Sequence, residues 1–183
     1  MTARIAPLDA PYPADMQRAF DAIMPPGVPP LVLFTTLARN PHVYAKFRAG
    51  SLLDKGTLGL REREIVIDRT TARCGSEYEW GVHVAFFAAS AGLTPAQIVA
   101  TVAGAADDPV WTPREQLLLR LVDALHESCD LDDSLWAGLK SEFSDAQLLE
   151  LIALTGFYRT VAYFTNALRL PLEPGAPGFS PPP

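Results

Sequence analysis

The chain has 183 residues, of which 49% are hydrophobic, 20% charged and 9% aromatic, with a net charge of −6. That composition excludes disordered and fibrous proteins, and the length suits one domain burying roughly 70% of the surface its unfolded chain exposes. The acidic balance predicts no nucleic-acid partner, because phosphate neutralisation needs a basic face.

Proline divides the sequence: seven of 17 fall in residues 1–30, six in 171–183 and four between. Proline lacks an N–H and clashes inside helices, so the middle is free to be helical and the ends are not. Residues 1–30 are expected to form an arm with one short helix around Pro13–Met24. Residues 171–183 are expected to form a tail that is mobile or lies extended against a neighbour.

Between them, residues 31–170 read as helix after helix. Leu31–Arg39 is short and apolar. Pro41 suits the first turn of the next helix, His42 to about Leu53, which stops at Asp54-Lys55-Gly56. Leu60–Arg73 follows, with Gly75 as its breaker. Ser76 is an N-cap for a helix reaching Ala91, with Glu79 at the capping-box position and Gly92 closing it. Thr94-Pro95 and Thr112-Pro113 open two more helices. Asp132–Phe143 is short, and Ser144 caps the last, Asp145–Leu168. Ile65-Val66-Ile67 could pass for a strand, but its Arg/Glu-rich flanks favour helix. Arg61-Glu62-Arg63-Glu64 and Arg114-Glu115-Gln116-Leu117 echo one another, and are read as shared helix-start grammar. The fold class is therefore an all-α single-domain bundle with proline-rich arms.

Cys74 and Cys129 are too few for a disulfide scaffold. No basic segment followed by an apolar run opens the chain, and no stretch suits a bilayer span. A cytoplasmic protein with no membrane partner is expected.

Three histidines occur, His42, His83 and His126. His83 stands out because Glu79, four residues earlier, shares its helix face. A carboxylate beside an imidazole orients it and raises its basicity, which suits proton transfer. On spacing alone an exposed i,i+4 pair is the more ordinary outcome. Glu64 lies in the apolar stretch of the preceding helix, and a hairpin folded at Gly75 would turn it toward Glu79 and His83. Arg69 and Arg73 are the nearest candidate cations, although a solvated helix face is the more ordinary role for both.

The run from Leu60-Arg61-Glu62-Arg63-Glu64 through Cys74-Gly75-Ser76-Glu77-Tyr78-Glu79-Trp80-Gly81-Val82-His83, followed by Ala91-Gly92-Leu93-Thr94, resembles the carboxymuconolactone decarboxylase family. That family includes the alkylhydroperoxidase D-like proteins. The resemblance is strong over about residues 58–102 and fainter to about 169. It implies an all-helical subunit that assembles as a dimer, trimer or hexamer. In the peroxidase branch a Cys-x-x-Cys pair precedes the histidine, and a glutamate lies further upstream. Carried onto this chain, the glutamate is Glu64, the histidine is His83, and the cysteine positions hold Ser76 and Glu79. Both thiols of that motif are missing. Cys74 is displaced by two positions and reads as a small buried residue near a helix end.

The decarboxylase branch works without cysteines. By resemblance, His83 shuttles a proton to or from carbon, Glu79 orients it, and Glu64 positions or protonates. The implied partner is a small organic acid or lactone, with no cofactor and no metal. Arg159, Tyr78, Trp80 and Phe87 are the candidate substrate-binding residues, with Phe86, Trp111 and Phe164 as further aromatics. Glu77 and Glu79 sit awkwardly with a dianionic substrate. Two other readings compete with this one. The first is a hydroperoxidase working through Cys74 and His83, and the second is a helical homo-oligomer without catalysis.

Overall fold

The computed structural model describes residues 3–54 and 56–179. Among them the secondary structure is helical throughout: α1 (Ala14–Asp21), α2 (Val32–Leu37), α3 (Pro41–Gly50), α4 (Leu60–Arg73), α5 (Glu77–Phe87), α6 (Pro95–Ala103), α7 (Pro113–Ser128), α8 (Asp133–Glu142) and α9 (Asp145–Leu168). No helix among the described residues is long and apolar enough to cross a membrane.

The core is organised around α4. Every residue from Glu64 to Thr71 is buried, so this helix is enclosed on all sides by α5, α6, α7 and α9. Its polar residues therefore need internal partners. Thr70 and Thr71 donate their hydroxyls to the carbonyls of Val66 and Ile67. Arg69 forms a two-pronged pair with Asp123, at 2.8 Å for each contact, and also donates to the carbonyls of Thr101 and Gly104. The expected solvated role for Arg69 is corrected here, since the side chain is interior and fixes α4 to α7. Arg73, half-exposed, pairs with Asp123 and Glu127.

The two echoing motifs meet in space. Arg61 donates to Glu115 at 2.6 Å, while Arg114 donates to Glu62 at 2.8 Å. The same offset joins Arg69 to Asp123 and Arg73 to Glu127, so α4 and α7 run side by side in one direction. Shared helix-start grammar thus has a spatial counterpart, in which each start supplies the other's ion partner.

Caps fall where the sequence places them. Thr94, Thr112 and Ser144 each accept from the backbone N–H three residues on, with Gln97, Glu115 and Gln147 reaching back. Two helices are shorter than expected. α3 ends at Gly50 rather than Leu53, and α5 at Phe87 rather than Ala91. The latter closes in a tight turn in which the Leu93 N–H reaches the Ala88 carbonyl and Gly92 takes φ +67°.

Both arms lie against the bundle. The Arg4 N–H donates to the Leu168 carbonyl, and Arg39 holds the carbonyls of Ala6 and Pro7. At the other end, the tail to Phe179 crosses α5 of its own chain, which replaces the expected mobile tail or contact with a neighbour. Glu173 accepts from the Tyr78 hydroxyl and the Val32 N–H, and the Phe179 N–H donates to Glu77. Gly81 permits this approach, because a Cβ there would collide with the Pro177 carbonyl. Residues 180–183 lie outside the described residues.

Candidate functional site

Gly75, at φ +65°, turns the chain between α4 and α5, and Ser76 caps α5 by accepting from the Glu79 N–H. The expected capping box is half-made, because the Glu79 side chain does not return to Ser76. It turns instead to His83, with its Oε1 3.5 Å from Nε2. On the other side of the ring, Nδ1 lies 2.7 Å from Glu64 Oε2. The α4–α5 hairpin thus places one imidazole between two carboxyls, and all three side chains are buried. The buried ring excludes the exposed i,i+4 pair.

Burial works to lower the His83 pKa, but hydrogen bonds and charge from Glu64 and Glu79 override it and push the pKa up to about 10. His83 is therefore an imidazolium at neutral pH, a proton donor before it is an acceptor. Asp68, one turn beyond Glu64, is a third buried carboxyl, and neither of its oxygens has a protein partner. Burial raises its pKa well above the carboxylate range; the His83 charge opposes the rise and Glu64 adds to it. Tyr158 packs edge-on against His83, with centroids 5.0 Å apart, and burial followed by the charges of Glu79 and Glu64 keeps its phenol protonated.

Glu79, His83 and Tyr158 line a cavity of about 760 Å³, within the usual range for small-ligand sites. Its wall is aromatic, with Phe34, Phe47, Phe86, Phe87 and Phe157. Val82, Leu31 and Leu53 add aliphatic surface, and Arg48 and Asp54 supply charge. One oxygen of Glu79 is buried without a hydrogen-bond partner.

Of the residues singled out from sequence, the structure brings Glu64, Glu79, His83, Phe86 and Phe87 together, with the Phe87 ring 5.2 Å from that of His83. It places the others elsewhere. Tyr78 is buried under the tail, where it accepts from the Leu33 N–H and donates to Glu173. Trp80 donates to Thr101 and packs on Phe179. Trp111 belongs to the core, and Phe164 packs against Phe47. Arg159 donates to the carbonyls of Leu125 and His126 and to the Tyr163 hydroxyl. None of these five lines the His83 cavity. Sequence reasoning missed Asp68, Tyr158 and Arg48. Asp68 had a signal, because it follows Glu64 at helical spacing in the same apolar stretch. Arg48 had none.

Cys74 belongs to a separate cavity of about 200 Å³, lined also by His126, Cys129 and Arg159. Its sulfur is 3.8 Å from His126 Nδ1. Burial raises the thiol pKa against an opposing pull from Arg159. The expected pairing of Cys74 with His83 is corrected by this placement, since the thiol's imidazole neighbour is His126. Both cysteines are free thiols. Among the described residues no group of three or more His, Cys, Asp or Glu side chains is arranged to hold a metal ion.

An all-helical bundle with a glutamate–histidine pair across an α-hairpin defines a recognisable class. Residues 39–124 match the Carboxymuconolactone decarboxylase family. Its fold is similar to that of an uncharacterized peroxidase-related protein from Silicibacter sp. TM1040 (TM-score 0.83, 19% identity, covering 98% of this chain and 96% of that one). It is also similar to an uncharacterized peroxidase-related protein with an alkylhydroperoxidase AhpD core from Ralstonia eutropha JMP134 (TM-score 0.82, 18% identity, 94% and 93%). A variant of the debrominase Bmp8 in complex with 2,3,4-tribromopyrrole shares the fold at TM-score 0.73 and 14% identity, over 94% and 93% of the chains. No curated protein matches the sequence.

Proposed function

We propose that the protein is an enzyme that uses His83 for cysteine-independent proton transfer on a small organic acid or lactone, by decarboxylation or by proton transfer alone. The observation that carries this reading is the His83 imidazolium held between Glu64 and Glu79 at the wall of an aromatic cavity. An imidazolium beside an electron-rich carbon can donate its proton there. The neutral ring then regains a proton, from solvent after decarboxylation, or from Glu79 once that carboxylate has taken the substrate's proton across the contact of its Oε1 with Nε2. Glu64 keeps the ring oriented and stabilises its charged form. Tyr158 adds a neutral hydrogen-bond donor. The aromatic walls favour a planar substrate, and the small aromatic in the debrominase complex is in keeping with that.

Thiol chemistry in this cavity has no support, because no cysteine is among its lining residues. The test is turnover of a panel of conjugated acids and lactones in D2O, followed by CO2 release and by deuterium incorporation at carbon. His83→Asn should lower the rate about 10²–10⁴-fold, while Cys74→Ser should leave it unchanged. A His83→Asn enzyme at wild-type rate refutes the reading, and loss of turnover in Cys74→Ser transfers the chemistry to the thiol. Assembly into a homo-oligomer is part of the same proposal, with the exposed Leu149, Ile152 and Tyr163 of α9 as the surface it would cover. A single 19.8 kDa species in light scattering would exclude it.

A further inference from the structure

The His83 cavity carries unequal charge. Its acidic groups are Glu79 and Asp54, and among its lining residues the one guanidinium or ammonium is that of Arg48, from the last turn of α3. The guanidiniums of Arg61, Arg63, Arg69, Arg73, Arg114 and Arg159 are bound to carboxyls or backbone carbonyls of the protein. Among the described residues Arg48 has no such ion pair. Its guanidinium carbon stands 5.8 Å from the centroid of Phe34, itself part of the cavity wall. A half-buried guanidinium on an apolar wall has lost hydration without gaining a counter-ion, and a planar fork of that kind fits a carboxylate with two parallel hydrogen bonds.

We infer that Arg48 is the anion anchor of this cavity and that the ligand it selects is a planar, conjugated monocarboxylate. The aromatic side chains Phe34, Phe47, Phe86, Phe87, Phe157 and Tyr158 supply flat apolar surface for the conjugated body. At the His83 end the charges are reversed. Glu64 and Glu79 outnumber the imidazolium, and Glu79 lines the cavity there. A second carboxylate would meet that excess of negative charge without a compensating cation. The ligand therefore lies with its anion at Arg48 and a neutral, conjugated carbon toward His83. This inference rests on the acid/base reading for which end reacts. It also sharpens that reading, because a retained single carboxylate favours proton transfer at the distant carbon over loss of CO2. In such a transfer one C–H bond breaks as its proton passes to Glu79, and the double bond shifts. The His83 proton then forms the new C–H bond, and the Glu79 proton returns to His83 across their 3.5 Å contact.

Equilibrium calorimetry with benzoate, its neutral isostere benzamide and the dianion terephthalate tests the anchor without needing turnover. Wild-type protein should bind benzoate at least about tenfold tighter than benzamide, as expected for a charge-assisted pair. Terephthalate should bind more weakly than benzoate. Arg48→Gln should abolish the benzoate preference, and Arg48→Lys should restore part of it. Unfolding curves establish that each variant is folded. Equal affinity for benzoate and benzamide, a preference that survives Arg48→Gln, or no saturable binding of either probe at millimolar concentration overturns the inference. Benzoate binding that depends on Arg48, together with undiminished turnover in His83→Asn, leaves the anchor standing and removes the acid/base reading. Turnover that needs His83, with benzoate binding indifferent to Arg48, does the reverse.

Discussion

His83 and His126 each line a cavity, the first beside Glu64 of α4 and the second beside Cys74 at the C-cap of that helix. The surroundings of the two imidazoles differ in sign. His83 is flanked by Glu64 and Glu79, which overcome burial and hold the ring charged. His126 feels burial first and then the positive charges of Arg159 and Arg73, so its pKa falls below the usual 6.5. A charged, buried ring in an aromatic cavity of about 760 Å³ is equipped to give a proton to a ligand. A neutral ring beside a thiol in a cavity of about 200 Å³ has little room for anything but its neighbours. Chain position near a cysteine is thus a poor guide to function here; the carboxyls decide which histidine is poised.

The most damaging way to break this contrast is to remove the carboxyl that holds His83. Glu64→Ala leaves a buried imidazolium short of its nearest partner. The expected cost is about 3–5 kcal/mol of unfolding free energy, as for other halved buried ion pairs. Urea denaturation of the variant measures it. A loss below about 1 kcal/mol would mean that the pair contributes little and that solvent reaches the ring.

The contrast should also be visible in titration. His83 has its folded pKa raised from 6.5 to about 10. Its contribution to stability is therefore fully present below about pH 6.5 and is lost as pH rises through 10. His126 has its folded pKa lowered. Its contribution is present above about pH 6.5 and is lost as pH falls through the folded value. Nitrogen-15 shifts of the imidazoles should show His83 doubly protonated at pH 8 and His126 neutral there. A His83 ring that loses its proton below pH 7 would contradict the hydrogen-bonded geometry with Glu64. Asp68 belongs to the same titrating cluster, and burial favours its neutral form, which opposes a further negative charge beside Glu64.

Much of the fold was legible because its signals are local. Thr94, Thr112 and Ser144 announce helix starts through backbone hydrogen bonds that involve three or four residues. Glu64, Glu79 and His83 were legible as a site for a related reason: one helical turn joins two of them, and a single glycine turn brings in the third. Phe87 continues the same helix. What could not be read depends on contacts far apart in the chain. Tyr78 and Trp80 point away from His83 because the tail covers them through Glu173 and Phe179, about a hundred residues later. Arg48 reaches the cavity from a helix whose placement no local pattern fixes. Arg69 reads as a surface charge until Asp123 is known to face it. The N-terminal arm had no signature for its docking on α9 beyond its prolines.

Arg159 shows how narrow the miss at the site was, and it supplies the smallest expected effect. It adjoins Tyr158, which lines the His83 cavity, but one residue along a helix turns the side chain by about 100°. Arg159 consequently lines the other cavity, where its guanidinium holds the Leu125 and His126 carbonyls at the end of α7. Arg159→Gln should cost about 0.5–1.5 kcal/mol, the usual range for a lost hydrogen bond of a partly exposed group. It should raise the His126 pKa, because the largest cationic influence on that ring is gone. Benzoate affinity at the Arg48 end should stay unchanged, since the two guanidiniums line different cavities. Calorimetry on the Arg159→Gln protein, run beside Arg48→Gln, separates the two arginines directly. Should Arg159→Gln weaken benzoate as much as Arg48→Gln does, the two cavities would have to act as one site, and the division between a proton-donating histidine and a thiol-bound one would fall with it.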